Sequence, residues 1–233
     1  MLTLAFETSA KAGSVALLDG ENLLGESYQN TGLTHSQTIM AMAQALIVSC
    51  GYTPKDVQAV AVAAGPGSFT GVRIGVAAAK GFAWGAQLPC YGVSTLEAMA
   101  LQLGIWQDYV LPVMDARRNQ VYNALFHVQA GELERLCPDR AISLEELGAE
   151  IKNLSQPVFL VGDGSILCYN TLRETAPGLV LPPEHRMHQR AAGVGLAAYR
   201  KITAGEPGDG AALEPNYLRL SQAERERLAR EQK

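Results

Sequence analysis

Apolar positions in the first thirty residues fall in short runs broken by turn residues. Leu2–Phe6 reads as a strand, Gly13–Leu18 as a second and Asn22–Tyr28 as a third, with Asp19-Gly20 turning the chain between the last two. The period then lengthens. Ile39, Met40, Met42, Ala43, Leu46, Ile47 and Val48 predict a helix over His35–Cys50. Thr34 with Gln37 fits a capping box at its start, and Gly51 fits a stop at its end. A short helical turn at Thr53-Pro54 precedes an apolar strand, Ala59–Ala64. Next come the glycine loop Gly65-Pro-Gly-Ser-Phe-Thr-Gly-Val-Arg-Ile-Gly75, a helix over 70–86 and a strand at Pro89–Val93. Ser94 with Glu97 opens a helix to about Leu103.

The pattern then restarts. Val110–Asp115 reads as a strand, Arg117–Gln120 as a turn, Val121–Val128 as a strand and Glu132–Leu136 as another. Ser143 with Glu146 caps a helix, Pro157–Val161 is a strand, and Ser165 to about Thr175 is a helix. Leu179–Leu181 reads as a short strand and His188–Ala204 as a helix. Glu7 and Asp115 hold the same place, at the end of the first strand of each half. A duplicated β-β-β-α-β-α unit points to an α/β fold of two ribonuclease-H-like lobes, the actin and sugar-kinase architecture. The expected division is 1–105 for the first lobe and 106–208 for the second, with the boundary near Leu103–Asp108. Residues 209–233 are expected as a linker and a charged tail, helical over Glu224–Lys233.

Both helices of the first half lack a full polar face. The first has few polar members, and the second carries only Arg73 and Lys80 as charges. Such helices are covered on both sides, by their own domain or by a second chain. The second helix also has small residues at four-residue spacing, Gly71, Gly75, Ala79 and again Ala77, Gly81, Gly85, which let another helix come close.

Composition narrows the function classes. The chain has 233 residues, 48% hydrophobic and 18% charged, as expected of a globular protein. Mean hydropathy is +0.03, which hints at apolar surface covered by a partner. A net charge of −4 with no basic block disfavours direct binding of nucleic acid by the chain alone. Cys50, Cys90, Cys137 and Cys168 form no C-x-x-C pair and read as reduced and structural. Without a signal peptide or membrane-length apolar run, a cytoplasmic location is expected.

The candidate chemistry is sparse. Gly65, Pro66, Gly67, Ser68 and Gly71 sit where α/β proteins often hold phosphate, between strand and helix. Yet a Walker loop requires a lysine where Val72 stands, the dinucleotide form requires glycine where Thr70 stands, and Pro66 has no N–H to offer. A structural turn is the favoured reading. Glu7-Thr-Ser-Ala-Lys11 and Asp115-Ala-Arg-Arg118 keep acids but no glycine for close approach to phosphate. Glu7 and Asp115 are cleft acids that could face each other or hold their own loops, the latter favoured. His35 has Ile39 four residues on, so no H-x-x-x-H metal pair exists.

Taken together, the glycine motif, Thr34-His-Ser36, Val93-Ser-Thr-Leu-Glu97, Met114-Asp-Ala-Arg117 and Glu214-Pro-Asn-Tyr-Leu-Arg219 closely resemble the bacterial TsaB (YeaZ) family, over nearly the whole chain and in order. Gln120 departs from it, in a segment that commonly reads Glu-Val-Tyr. The resemblance implies a non-catalytic subunit of the complex that makes threonylcarbamoyladenosine next to the tRNA anticodon. It implies pairing with the catalytic paralogue TsaD, support of TsaE binding, a homodimer when alone, and contact with tRNA only through the complex. Metal and ATP are expected on TsaD and TsaE, with no cofactor on this chain. It places the partner interface on the first-lobe helices, at Thr34, His35, Ile39, Met42, Leu46, Arg73, Ile74, Gly75, Ala78, Ala79 and Phe82. The alternative is an enzyme in its own right, a glycoprotease-like metallopeptidase or an actin-like ATPase.

Overall fold

Two sheets with the same strand order organise the protein, a computed structural model that describes residues 1–104, 107–154 and 156–219. The first contains β1 (Leu2–Glu7), β2 (Gly13–Asp19), β3 (Asn22–Gln29), β4 (Ala59–Ala63) and β5 (Cys90–Val93), ordered β3-β2-β1-β4-β5. Its meander β1–β3 is antiparallel, and β4 and β5 add parallel to β1. Helix α1 (His35–Ser49) lies between β3 and β4, α2 (Phe69–Ala86) between β4 and β5, and α3 (Thr95–Leu103) leads from β5 to the second sheet.

The second sheet repeats the plan. Its main path contains β6 (Asp108–Arg117), β7 (Gln120–Asn123), β10 (Arg140–Ser143), β11 (Val158–Val161) and β12 (Leu179–Val180), in the order β10-β7-β6-β11-β12. Strands β8 (Phe126–Gln129) and β9 (Glu132–Arg135) form a hairpin on the other part of β6. Helices α4 (Leu144–Ile151), α5 (Ser165–Leu172), the short α6 (Glu184–Met187) and α7 (Ala191–Thr203) complete the fold.

Strand alternation explains the layers, because successive side chains point to opposite faces. Leu4 and Phe6 join Val15 and Leu17 on one face, where Ile39, Met42 and Leu46 of α1 and Val72, Val76 and Ala79 of α2 cover them. Ala5, Ala16, Ala61 and Ala63 form the other face. These small side chains let α7 lie close through Ala191, Val194, Ala197 and Ala198. The last of the described helices thus covers the first sheet. In the second lobe α4 and α5 pack through Leu144, Leu147, Ile151 and Leu172 on Leu111, Val113 and Leu160. Helix α3 lies between the sheets, with Ala98 toward the first and Leu96, Met99 and Ala100 toward Val110, Met114 and Phe126 of the second.

Several expectations are corrected. The single strand Val121–Val128 is two strands, because β7 pairs with Val113–Arg117 and β10 while β8 pairs with Asp108–Val110 and β9. One straight strand cannot serve both parts of β6 with different outer neighbours. Strand β10 carried no clear alternation and was not expected. Thr34 makes no side-chain cap on α1, although its carbonyl accepts Gln37 N–H at 2.9 Å. Ser143 and Glu146 do form a reciprocal box. The expected lobe boundary lies partly on residues 105–106, and the helical tail on 224–233; both lie outside the described residues.

Residues 209–219, read from the sequence as connecting chain, lie packed on the first lobe. Leu213 joins the core beside Gly92, Lys80 Nζ donates to the carbonyls of Ala211 (3.3 Å) and Leu213 (3.0 Å), and Asn216 N–H donates to Ala64 O at 2.6 Å. Tyr217 stacks on Phe69 with ring centroids 4.2 Å apart, and Arg73 Nε donates to its hydroxyl at 2.7 Å. Arg219 then donates to Ala116 O, so this strap touches both lobes. Among the described residues no helix is long and apolar enough to cross a membrane.

Candidate functional site

The glycine loop leaves β4 and starts α2, and its glycines are fixed by close approach to protein backbone. A Cβ on Gly67 would lie 2.5 Å from Ser9 O, and one on Gly71 would run into Thr8 O. On Gly75 it would strike Thr8 Oγ1. Gly65, at φ +116, faces Asn216 O of the strap. Ser68 N–H donates to Ser9 O at 2.6 Å, and Ser68 Oγ accepts from Gly71 N–H at 3.3 Å as the N-cap of α2. The Gly65-Pro66 bond is cis. The loop therefore packs its backbone directly against the β1–β2 turn.

A cleft of about 520 Å³ separates this region from the second lobe, lined by Ser9, Lys11, Ser68, Thr70, Asp115, Arg117 and Asp163 among others. Glu7 and Asp115 perform the same local task on either side. Glu7 Oε1 accepts from Ser9 N–H at 2.6 Å, and Asp115 Oδ1 accepts from Arg117 N–H at 2.7 Å. Their surroundings differ. Glu7 is 1% exposed, and burial pushes its carboxyl up to about 7, against the lowering effect of Ser9 and with a further rise from Asp163. Asp115 is half-exposed and paired with the Arg117 guanidinium at 3.3 Å. It holds a turn in which Arg117, Arg118 and Asn119 all have positive φ, a costly conformation for side chains with a Cβ.

The two acids make no hydrogen bond to each other. Asp163 lines the cleft with Asp115, and the sequence reading missed it. Burial among the cleft walls raises its carboxyl first, and Asp115 raises it further. It accepts Gln189 Nε2–H at 3.4 Å. The missed signal was Gly162-Asp163-Gly164 at a strand end. Gly162 has φ +114 and crowds Val113 O, while Gly164 lies against Asp115 N. The second-lobe loop thus presses on the end of β6 as the glycine loop presses on the end of β1.

The metal geometry expected of an H-x-x-x-H pair does not fit this chain. His35 Nε2 lies 2.8 Å from Ala10 O, and its ring packs on Gly13. Ile39, one turn on, is buried in the core. Among the described residues no three His, Cys, Asp or Glu side chains come together. The Cys90 and Cys168 thiols are pushed up by burial to about 11 and about 12, which suits packing rather than reactivity.

The residues expected at a partner face separate into two sets. Ile39, Met42, Leu46, Gly75 and Ala79 are buried in the chain's own core, because α1 and α2 lay that side on the sheet. Thr34 and Arg73 are exposed, and His35, Ile74, Ala78 and Phe82 are half-buried. Arg73 already holds Tyr217. The outer side carries apolar residues that the sequence reading did not assign to the face. Trp84 is 87% exposed, Val48 63% and Met40 42%. Ala41, Ala45, Ala77, Gly81 and Gly85 are exposed beside them, and a Cβ on Gly81 or Gly85 would meet nothing within 4 Å.

Comparison with known proteins agrees with this architecture. A family model described as TsaD, tRNA N6-adenosine threonylcarbamoyltransferase, matches residues 29–226. The tRNA threonylcarbamoyladenosine biosynthesis protein TsaB of Bacillus subtilis is 32% identical over 227 residues, covering 96% of each chain. Among solved structures, YeaZ from Pseudomonas aeruginosa superposes with a TM-score of 0.73 at 27% identity, covering 93% of this chain and 99% of that one. Component A of (R)-2-hydroxyglutaryl-CoA dehydratase from Acidaminococcus fermentans shares the fold alone, with a TM-score of 0.52 at 12% identity over 87% of this chain and 99% of that one. The duplicated sheets are thus of the actin and sugar-kinase type. Full-length identity and matched fold together show that the chain belongs to the TsaB (YeaZ) family, within the wider TsaD-type family whose model it matches.

Proposed function

We propose that this protein is a non-catalytic subunit in the biosynthesis of tRNA threonylcarbamoyladenosine, and that it pairs with a TsaD-type partner through the outer faces of α1 and α2. The pathway is read from the name carried by its relative from Bacillus subtilis and from the matched family model. The observation that carries the pairing is the exposure of Met40 and Val48 on α1 and of Trp84 on α2, the last with the open glycine Gly81 in the same hollow. Large apolar side chains left outside on two helices already packed on their own sheet are the kind of surface that a partner covers. In this reading TsaE joins the assembly, tRNA is met only through the complex, and metal and ATP belong to the partners. The same helices bring two copies together when the partner is absent.

Trp84→Glu or Gly81→Arg tests the face, because neither position touches the chain's own core. Either change should cut co-purification with the TsaD-type partner at least tenfold while the circular dichroism spectrum stays the same. Unchanged pairing with both variants would sink the face. Gly75 and Ala79 cannot serve in this test, since enlarging them would disturb the fold first. Equilibrium dialysis of the purified protein with ATP addresses the alternative, an enzyme in its own right; tight stoichiometric binding would favour that alternative.

A further inference from the structure

Basic and aromatic side chains collect at one mouth of the cleft, although the chain carries a net charge of −4. Arg73 of α2 lies over the Phe69 ring, 4.0 Å from its centroid, and Phe69 stacks on Tyr217 of the strap. Two residues on, Arg219 donates to the carbonyls of Ala116 and Arg117 in the second lobe. Phe69 and Arg117 line the cleft together with Lys11, and Arg118 is exposed next to Arg117. A continuous rim thus runs from α2 across the strap to the turn that follows Asp115. Charge is distributed unevenly along it. Inside the cleft, Lys11 and Arg117 are balanced by Asp115 and Asp163. On the rim, Arg73, Arg118 and Arg219 form no ion pair among the described residues. Glu214, the acid of the same strap segment, lines a separate hollow with Glu97 and Lys201.

We propose that this rim binds the phosphate backbone of RNA, with an unpaired base resting on Tyr217, when the chain stands beside its partner. The proposal rests on the reading above, in which tRNA is met within the complex. A small anion would enter the part of the cleft where charge is balanced, whereas a long polyanion follows the rim, where positive charge is in excess. The donors suit phosphate. Arg73 engages only Nε, on the Tyr217 hydroxyl, and Arg219 only one terminal nitrogen, on the two carbonyls. The other N–H groups of each guanidinium are left to form the forked bonds that phosphate oxygens accept. Tyr217 is 39% exposed, and single-stranded nucleic acid stacks its bases on such rings. An acidic peptide would use the charges and leave the ring without a role. The net charge of the chain opposes RNA, so the rim adds contacts to a complex rather than binding RNA firmly by itself.

The test titrates the full chain, reconstituted with the TsaD-type partner, with an unmodified tRNA transcript followed by fluorescence anisotropy. Lys11→Ala combined with Arg118→Ala removes two exposed charges. Binding should weaken about tenfold, and the slope of log affinity against log salt should flatten by about one for each residue removed. Arg173→Ala, exposed elsewhere on the second lobe, should change neither. A double variant that binds the transcript as the Arg173→Ala protein does would overturn the proposal. So would a double variant that no longer sediments with the partner, which would make the rim a protein-docking surface. ATP binding by the chain alone that Lys11→Ala abolishes would assign the cleft to a small nucleotide and overturn it as well. Sedimentation of the natural chain with the partner checks the pairing separately. Should no heterodimer form, ultraviolet crosslinking of a thiouridine-containing transcript to the full chain at low salt decides. Crosslinked peptides containing Phe69 or Tyr217 support the rim, and their absence overturns it.

Discussion

Helix α2 carries two stripes of small residues at the same four-residue spacing, and they do opposite things. Gly71, Gly75 and Ala79 face inward, where Thr8 backbone and side chain leave no room for a Cβ at the two glycines. Ala77, Gly81 and Gly85 face outward, and the two glycines there have open space. In sequence the stripes look alike. The inner one lets the chain's own β1–β2 turn come close, and the outer one leaves a hollow beside Trp84. Small-residue periodicity therefore signals close approach without saying what approaches. Only the direction of the sheet separates the two meanings.

The inner stripe should be the least tolerant place on the helix. Gly71→Ala forces a methyl against the Thr8 carbonyl and should cost about 3 kcal/mol in chemical denaturation, since overpacking against backbone cannot relax by a side-chain rotation. A loss below about 1 kcal/mol would mean that the turn yields and that the stripe is not tightly docked.

The turn that meets this stripe is held by Glu7, so the pH dependence of stability sharpens the same comparison. Burial raises the folded carboxyl from the ordinary 4.5 to about 7, so the folded state binds the proton more tightly than the unfolded chain. The contribution is fully favourable below the lower value and is lost as pH rises through the upper one, a swing of about 3 kcal/mol. Denaturation midpoints measured from pH 5 to pH 8 should fall for the natural protein. They should fall far less for Glu7→Gln, which should be the more stable of the two at pH 8.

Outside the inner stripe the effects shrink. Tyr217→Ala removes a stacked ring and the hydroxyl that Arg73 holds, and should cost about 1 kcal/mol. Amide exchange at Asn216 should accelerate with it, because the strap is released from α2. Gly81→Ala should change sign altogether. An exposed helical glycine replaced by alanine gains about 0.5–1 kcal/mol with no clash to offset it. A melting temperature that drops instead would place Gly81 against something in the folded chain.

Much of the fold was legible because local signals agreed with it. The β1–β3 meander pairs strands adjacent in sequence, and the bounds of α1 and the Ser143–Glu146 box rest on interactions within a few residues. What was hidden depends on distant partners. The break between β7 and β8 follows from two different neighbours along β6, which no local pattern records. Strand β10 owes its place to pairing with β7. Glu7 and Asp115 were picked out by their equal positions after a strand, yet only Asp115 lines the cleft, with Asp163, which lay in a loop whose glycines only make sense against β6. Five of the eleven residues expected at a partner face are buried in the chain's own core, a split the sequence hid because both sides of α1 and α2 are apolar. The curve of the sheet buried Ile39, Met42 and Leu46 and left Met40, Val48 and Trp84 outside.

The most direct test of the account is sedimentation velocity of the chain mixed with a TsaD-type partner, comparing the natural protein with Gly81→Arg. The account predicts a heterodimer for the natural protein, and separate monomers for a variant whose melting temperature is not lowered. A Gly81→Arg protein that still sediments as a full heterodimer would contradict the assignment of the outer face of α2 to the partner.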